Sequence, residues 1–212
     1  KRPPTENDND SRSSSQRKKT TSNRQTRKIL SSSMNNSNDK FQMQIIIHFD
    51  GGSRGNPGVA GAGAQVIVVI ANNNNTNSSQ SAKQATAATA TTTTTTTYSV
   101  REFCGNRETN NYAEYHGLIA GLKQAKSCIL EQHSNKSPKK PLFQLQVYGD
   151  SNLIIQQLKG AWQCRHANLI PLFLQCKELI DGMKDLDNGK KSEVLLEHVY
   201  REQNKAADAL AN

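Results

Sequence analysis

Apolar and polar positions first take on a regular pattern near residue 41. Phe41–Phe49 holds the unbroken run Ile45-Ile46-Ile47, which predicts a strand covered on both faces. Gly61–Ile70 passes from small to aliphatic residues and predicts a second strand. Tyr98–Phe103 alternates and predicts a third. From 112 to 126, Tyr115, Leu118, Ile119, Leu122 and Ala125 recur at helical spacing, so an amphipathic helix is expected. Gly117 and Gly121 share another face of that helix with Glu114, where they allow close approach to a sheet. Leu142–Tyr148 predicts a fourth strand. Leu153, Ile154, Ile155 and Leu158 predict a short helix ended by Gly160. Leu169–Met183 predicts another, opened near Pro171. Val194–Val199 predicts a fifth strand, and Lys205–Asn212 begins a last helix. That pattern is still running at Asn212, so a C-terminal truncation is expected. The order is β-β-β-α-β-α-α-β-α. Strands with tight links should be antiparallel, and those separated by helices parallel with right-handed crossovers. The expected class is α/β, a mixed five-stranded sheet flanked by helices.

Two segments fall outside this pattern. Residues 1–40 hold ten Lys or Arg and four acids, a net +6, with almost no large apolar side chains. Such a segment cannot offset its ordering entropy, so a disordered basic tail is expected. Residues 71–97 contain 26 Asn, Thr, Ser, Gln or Ala among 27, ending in Thr91–Thr97. They predict a low-complexity loop inserted into the domain at 41–212. The ordered remainder is long enough for one well-buried domain.

Composition narrows the class. The 212 residues carry a formal +9, and only 34% are hydrophobic, so the whole length is not one core. No stretch reaches the roughly 20 apolar residues of a membrane helix. The four cysteines, Cys104, Cys128, Cys164 and Cys176, have neither CxxC nor disulfide-framework spacing. Buried free thiols in a reducing intracellular compartment are expected.

Four acids fall at element ends. Asp50 closes the first strand before Gly51-Gly52, and Glu114 lies in the first turn of the first helix. Asp150 closes the fourth strand, and Asp208 lies in the first turn of the last helix. Each has an ordinary explanation as well. Asp50 suits a turn, and Glu114 suits a capping box with Asn111. Asp150 suits an N-cap, and Asp208 suits the helix dipole. If the first and fourth strands are adjacent and parallel, however, Asp50 and Asp150 share the sheet edge where ligands of open α/β sheets bind. Two carboxylates about 4 Å apart repel by about 4 kcal/mol at an effective dielectric near 20. Hard divalent cations with oxygen preference, such as Mg²⁺, relieve that repulsion. No Cys/His cluster offers a zinc site instead.

The segments FDGGSRGNPG (49–58), TNNYAEY (109–115), YGDSN (148–152) and HVYREQNKAADALA (198–211) resemble the four signature segments of type 1 ribonuclease H. They occur in family order and resemble most the plant- and archaeal-like branch. The resemblance covers about 145 residues and implies the ribonuclease H-like fold. It further implies hydrolysis of the RNA strand of an RNA/DNA hybrid by two Mg²⁺ (or Mn²⁺) ions, leaving 5′-phosphate and 3′-hydroxyl ends. Asp50 would bridge both ions, with the backbone at Gly51 part of the site. Glu114 and Asp150 would complete one shell, and Asp208 would hold the second ion. Asn56, Asn110 and Asn111 match positions that contact the minor groove, where a short amide can meet a 2′-hydroxyl. Ser151 and Asn152 belong to the third segment, and Asn152 matches a polar RNA contact. Asn110 and Asn111 also suit capping.

The chain departs from the family in two places. His198 falls in the predicted strand rather than on a mobile loop, which makes Arg201 the better candidate to face phosphate. After the third acid, Ala161–Asn168 carries only Arg165 and His166 where some members have a basic helix. The basic tail could supply that grip through phosphate contacts. Trp162 is expected to pack under its loop. Arg17-Lys18-Lys19 is a weak nuclear-type cluster, which favours the nucleus over an organelle. A monomer without membrane attachment is expected. The competing readings are a non-catalytic nucleic-acid-binding module and the ribonuclease H domain of a retroelement polyprotein.

Overall fold

The computed structural model describes residues 17–19, 42–73, 91–134, 142–187 and 192–212. Its strands are β1 (Arg17–Lys19), β2 (Met43–Arg54), β3 (Gly58–Asn73), β4 (Thr91–Glu108), β5 (Phe143–Gly149) and β6 (Glu193–His198). Its helices are α1 (Asn110–Ser134), α2 (Asn152–Leu158), α3 (Ile170–Lys184) and α4 (Lys205–Ala211). One sheet takes all six strands in the order β1-β4-β3-β2-β5-β6. β2, β3 and β4 pair antiparallel, and β5 and β6 add in parallel through helical crossovers. The mixed five-stranded α/β sheet read from the sequence is thus present, with β1 added at its edge.

Helix α1 exists because its apolar stripe has somewhere to go. Tyr115, Leu118, Ile119, Leu122 and Ala125 are all buried, and Cys128 and Ile129 carry the stripe a turn further than the expected end at 126. The stripe meets Ile45, Ile47, Phe49, Val66, Val68, Leu145 and Val147 on one sheet face. Ile154 and Ile155 of α2 and Cys176, Ile180 and Met183 of α3 complete this core. Truncating a residue so enclosed, such as Leu122, costs about 2–5 kcal/mol. Helix α4 crosses the opposite face, where a side chain at Gly63 would strike Leu210 and Ala211.

Three boundaries differ from expectation. The polythreonine run is not loop: Thr91–Thr97 belongs to β4 and pairs with Ile67–Asn73 of β3. Threonine is β-branched and suits a pleated surface, so an extended partner recruits it without an apolar alternation. The rest of the expected insert, 74–90, lies outside the described residues. Asp50 does not end its strand, because β2 continues to Arg54 against β3, with Asp50 opposite Gly63. Its parallel partner β5 does stop there, at the pair Phe49–Gly149. The expected disordered tail supplies β1, whose backbone pairs Arg17 with Ser99 and Lys19 with Thr97. An edge strand offers free backbone groups to any extended segment, whatever its hydropathy. The remainder of 1–40 lies outside the described residues. Among the described residues no helix is long and apolar enough to cross a membrane.

Candidate active site

Asp50 is 7% exposed, and its Oδ1 accepts the Gly51 N–H at 2.8 Å. Burial, then repulsion from Asp150 and more weakly from Asp208, pushes its pKa up to about 7, against the pull of the Gly51 N–H and Arg201. Position 51 requires glycine. A Cβ there would overlap the backbone of Ala113 and Glu114, so its absence lets α1 lie directly on β2. Gly117 makes the reciprocal contact with the carbonyl of Asp50.

Glu114 stands two residues deeper in α1 than expected. The cap is Thr109 rather than Asn111: its Oγ1 accepts the Tyr112 N–H at 3.3 Å, and its carbonyl accepts the Ala113 N–H at 3.1 Å. Glu114 is therefore free of capping. Ser151 Oγ donates to its Oε2 at 2.5 Å, and Asn110 Nδ2 donates to its Oε1 at 3.0 Å. Burial raises its pKa to about 7; the Ser151 hydrogen bond opposes this, and Asp50 and Asp150 add to it.

Asp150 follows β5, and Asp208 lies in the first turn of α4. Asn204 Nδ2 donates to Asp150 Oδ1 at 3.1 Å, and Arg201 pairs with Asp208 Oδ1 at 2.5 Å. Asp150 does not cap α2, whose N-cap position is Ser151. Asp50 thus feels Asp150 and Asp208, and Glu114 feels Asp50 and Asp150. Among the described residues, no three His, Cys, Asp or Glu side chains already close on one point as a metal shell. Each carboxylate is turned instead to its own hydrogen-bond donor.

The expected hybrid contacts divide. Asn56 and Asn110 are linked, since Asn56 Oδ1 accepts the Asn110 N–H at 3.1 Å, while Asn110 Oδ1 accepts the Ser53 N–H at 3.3 Å. Asn111 follows in the first turn of α1. Asn152 is exposed and accepts from Gln156 Nε2 at 3.2 Å. Ser151 is buried on Glu114 rather than presented outward. His198 ends β6 with Nε2 3.2 Å from the Asp150 carbonyl. Trp162 does not pack under its loop and is 50% exposed. Cys128 and Cys176 are buried, but Cys104 and Cys164 are only half-buried. Asn204 lies in the last of the four signature segments, and sequence alone assigns it no role of its own.

Two cavities are lined by none of the four acids. One of about 400 Å³ sits between β4 and α1, and one of about 420 Å³ runs along β6.

Residues 73–212, which include Glu114, Asp150 and Asp208, match the reverse transcriptase-like family model. A bifunctional protein of Mycobacterium tuberculosis is 34% identical over 170 residues, 80% of this chain and 35% of that protein. A ribonuclease HI of Halobacterium salinarum is 30% identical over 169 residues, 80% of this chain and 63% of the archaeal protein. The chain therefore spans about a third of the mycobacterial relative and under two thirds of the archaeal one. Among solved structures, the N-terminal RNase H domain of the M. tuberculosis protein, fused to maltose binding protein, superposes with a TM-score of 0.50. It is 30% identical and covers 80% of this chain and 91% of that one. A family match over most of the chain, on a sheet of this order with its helices at these places, makes this chain a member of the ribonuclease H family.

Proposed function

We propose that the chain is a divalent-metal-dependent endoribonuclease that cuts the RNA strand of RNA/DNA hybrids, leaving 5′-phosphate and 3′-hydroxyl ends. The observation that carries this reading is the gathering of four acids at one sheet edge, where Asp50 meets the charges of Asp150 and Asp208, and Glu114 those of Asp50 and Asp150. The names of the archaeal and mycobacterial relatives support it.

The donor set fits Mg²⁺ or Mn²⁺. It is all carboxylate oxygen and partly dehydrated, and burial, with repulsion from neighbouring acids, raises two of its members to about 7, a cost that a bound cation offsets. Asp50, Glu114 and Asp150 would hold one ion, and Asp50 and Asp208 the second. When bound, two such ions lower the pKa of a water and stabilise charge on the leaving oxygen. The protein's own groups do the rest. Ser151 and Asn110 aim the Glu114 carboxylate. Arg201, 72% exposed, can swing from Asp208 to a phosphate oxygen once that carboxylate is engaged elsewhere. Asn56, Asn110 and Asn111 present amides to the 2′-hydroxyls of the RNA strand.

The test is cleavage of a labelled hybrid beside single-stranded RNA, duplex RNA and duplex DNA, with Mg²⁺ and with EDTA. Hybrid alone should be cut, and only with metal. Asp50→Asn should lower the rate by roughly 100-fold or more while hybrid binding survives. Equal cleavage by Asp50→Asn and wild type would overturn the reading.

A further inference from the structure

Asn204 is fully buried, at 0% exposure, immediately before α4. Asparagine at an N-cap ordinarily turns its side-chain oxygen to the second or third N–H of the helix. This one makes no side-chain cap. Its carboxamide points across the site, where Nδ2 donates to the Phe49 carbonyl at 2.8 Å and to Asp150 Oδ1 at 3.1 Å. Both partners are acceptors, so the amide's orientation is fixed and both of its side-chain protons are used. Its backbone carbonyl meanwhile accepts the Ala207 N–H at 3.0 Å and the Asp208 N–H at 3.1 Å.

One residue thus touches the supports of three acids. It holds the peptide next to Asp50, the carboxylate of Asp150 and the backbone of Asp208. These three stand on β2, after β5 and on α4, elements that meet at this edge with α4 packed on β2 and β3. Strand pairing fixes β2 on β5 as far as Phe49–Gly149, just short of the acids, and the Asp208 side chain pairs only with the exposed Arg201 among the described residues, so the Asn204 side chain is the buried polar link that reaches across from α4. We propose that Asn204 is a positioning residue that sets the spacing of Asp50, Asp150 and Asp208 for divalent cations. This rests on the metal-dependent reading above and adds a determinant of cation affinity outside the carboxylates. Partners that orient metal ligands typically contribute roughly 10–100-fold to metal affinity or activity. The Asn204 side chain serves two ligands directly and the third through the helix whose first turn it anchors.

The experiment compares wild type with Asn204→Ser and Asn204→Ala. Calorimetry of Mn²⁺ or Mg²⁺ binding, without nucleic acid, gives the cation affinity of the folded protein, and melting in EDTA gives its stability. Hybrid cleavage at saturating metal separates kcat from KM. Affinity should fall at least roughly tenfold. The metal concentration for half-maximal cleavage should rise with it, and KM for the hybrid should stay within about threefold. Variants that melt lower yet bind cations as wild type does would show a merely structural amide and overturn the proposal. Wild type that binds no divalent cation would instead remove the nuclease reading, and this proposal with it. Should neither variant fold, nitrogen-15 NMR of the wild type decides. The Asn204 side-chain amide signals should move over the same Mg²⁺ range as activity, and signals that stay fixed would overturn the proposal.

Discussion

Burial and mutual repulsion hold Asp50 and Glu114 at about 7, well above the roughly 4 of carboxyls in an unfolded chain. Between those values the folded protein binds more protons than the unfolded one, so its stability falls as pH rises. The contribution is intact below about pH 4 and is lost as pH passes through 7. For the metal-free protein the melting temperature should therefore drop between pH 5 and pH 8. Allowing for partial solvent screening, the loss is on the order of 2–4 kcal/mol. Asp50→Asn removes one titrating group, so it should melt higher than wild type at pH 8 in EDTA and show a flatter pH slope. Melts in EDTA across this range check both, and a wild-type melting temperature that climbed with pH would contradict them. The charge logic of these residues was legible in the sequence, because an Asp before Gly-Gly and an Asp after an apolar strand are conspicuous. Asn204 was not. Its side chain acts across the fold, on Phe49 and Asp150, and no local pattern distinguishes such an asparagine from a cap.

At the scale of elements, the site exists because α1 lies against the end of β2. Gly117→Ala tests that contact with two opposed effects. Alanine favours a helix by about 1 kcal/mol. Its Cβ, however, would meet the Asp50 carbonyl and stand 3.0 Å from the Gly63 carbonyl, both backbone atoms that cannot swing aside. Overpacking of this kind typically costs about 1–3 kcal/mol and outweighs the helix gain. Gly117→Ala should therefore lower the urea midpoint, and it should lower cleavage more than stability because Glu114 rides on the displaced helix. Gly182→Ala in α3 is the control. Among the described residues, a Cβ there would meet only the flexible Lys126 Nζ at 3.5 Å, so it should stabilise by about 0.5–1 kcal/mol and leave cleavage unchanged. Helix α1 and the central strands were legible because burial imposes a period, seen in Ile45–Ile47 and in the Tyr115–Ala125 stripe. The outer half of β4 was not, because Thr91–Thr97 has no period and is extended only through its pairing with β3.

Across the whole molecule, charge and chemistry are segregated. Two thirds of the +9 lies in residues 1–40, whereas the acids occupy one end of the sheet. The backbone of Arg17–Lys19 joins the sheet beside Thr97–Ser99, separated from β2 by β4 and β3. Arg17–Lys19 thus joins the frame that carries the acids at the edge strand β4. Three residue pairs at an edge add little to a core centred on β2 and α1, so deleting residues 1–40 should leave the melting temperature nearly unchanged. Hybrid affinity should respond differently. Every phosphate that the protein no longer neutralises flattens the slope of log affinity against log salt by about 0.7–0.9. Deletion should therefore weaken binding at low salt and flatten that slope, while the Mg²⁺ concentration for half-maximal cleavage stays where it was. Binding titrations from low to physiological salt, run on both chains with metal held constant, measure the affinity and its slope, and cleavage across a Mg²⁺ series measures the midpoint. An unchanged salt slope would mean that the tail touches no phosphate. A shifted Mg²⁺ midpoint would mean that the tail reaches the acids, and that grip and chemistry are not separate in this chain.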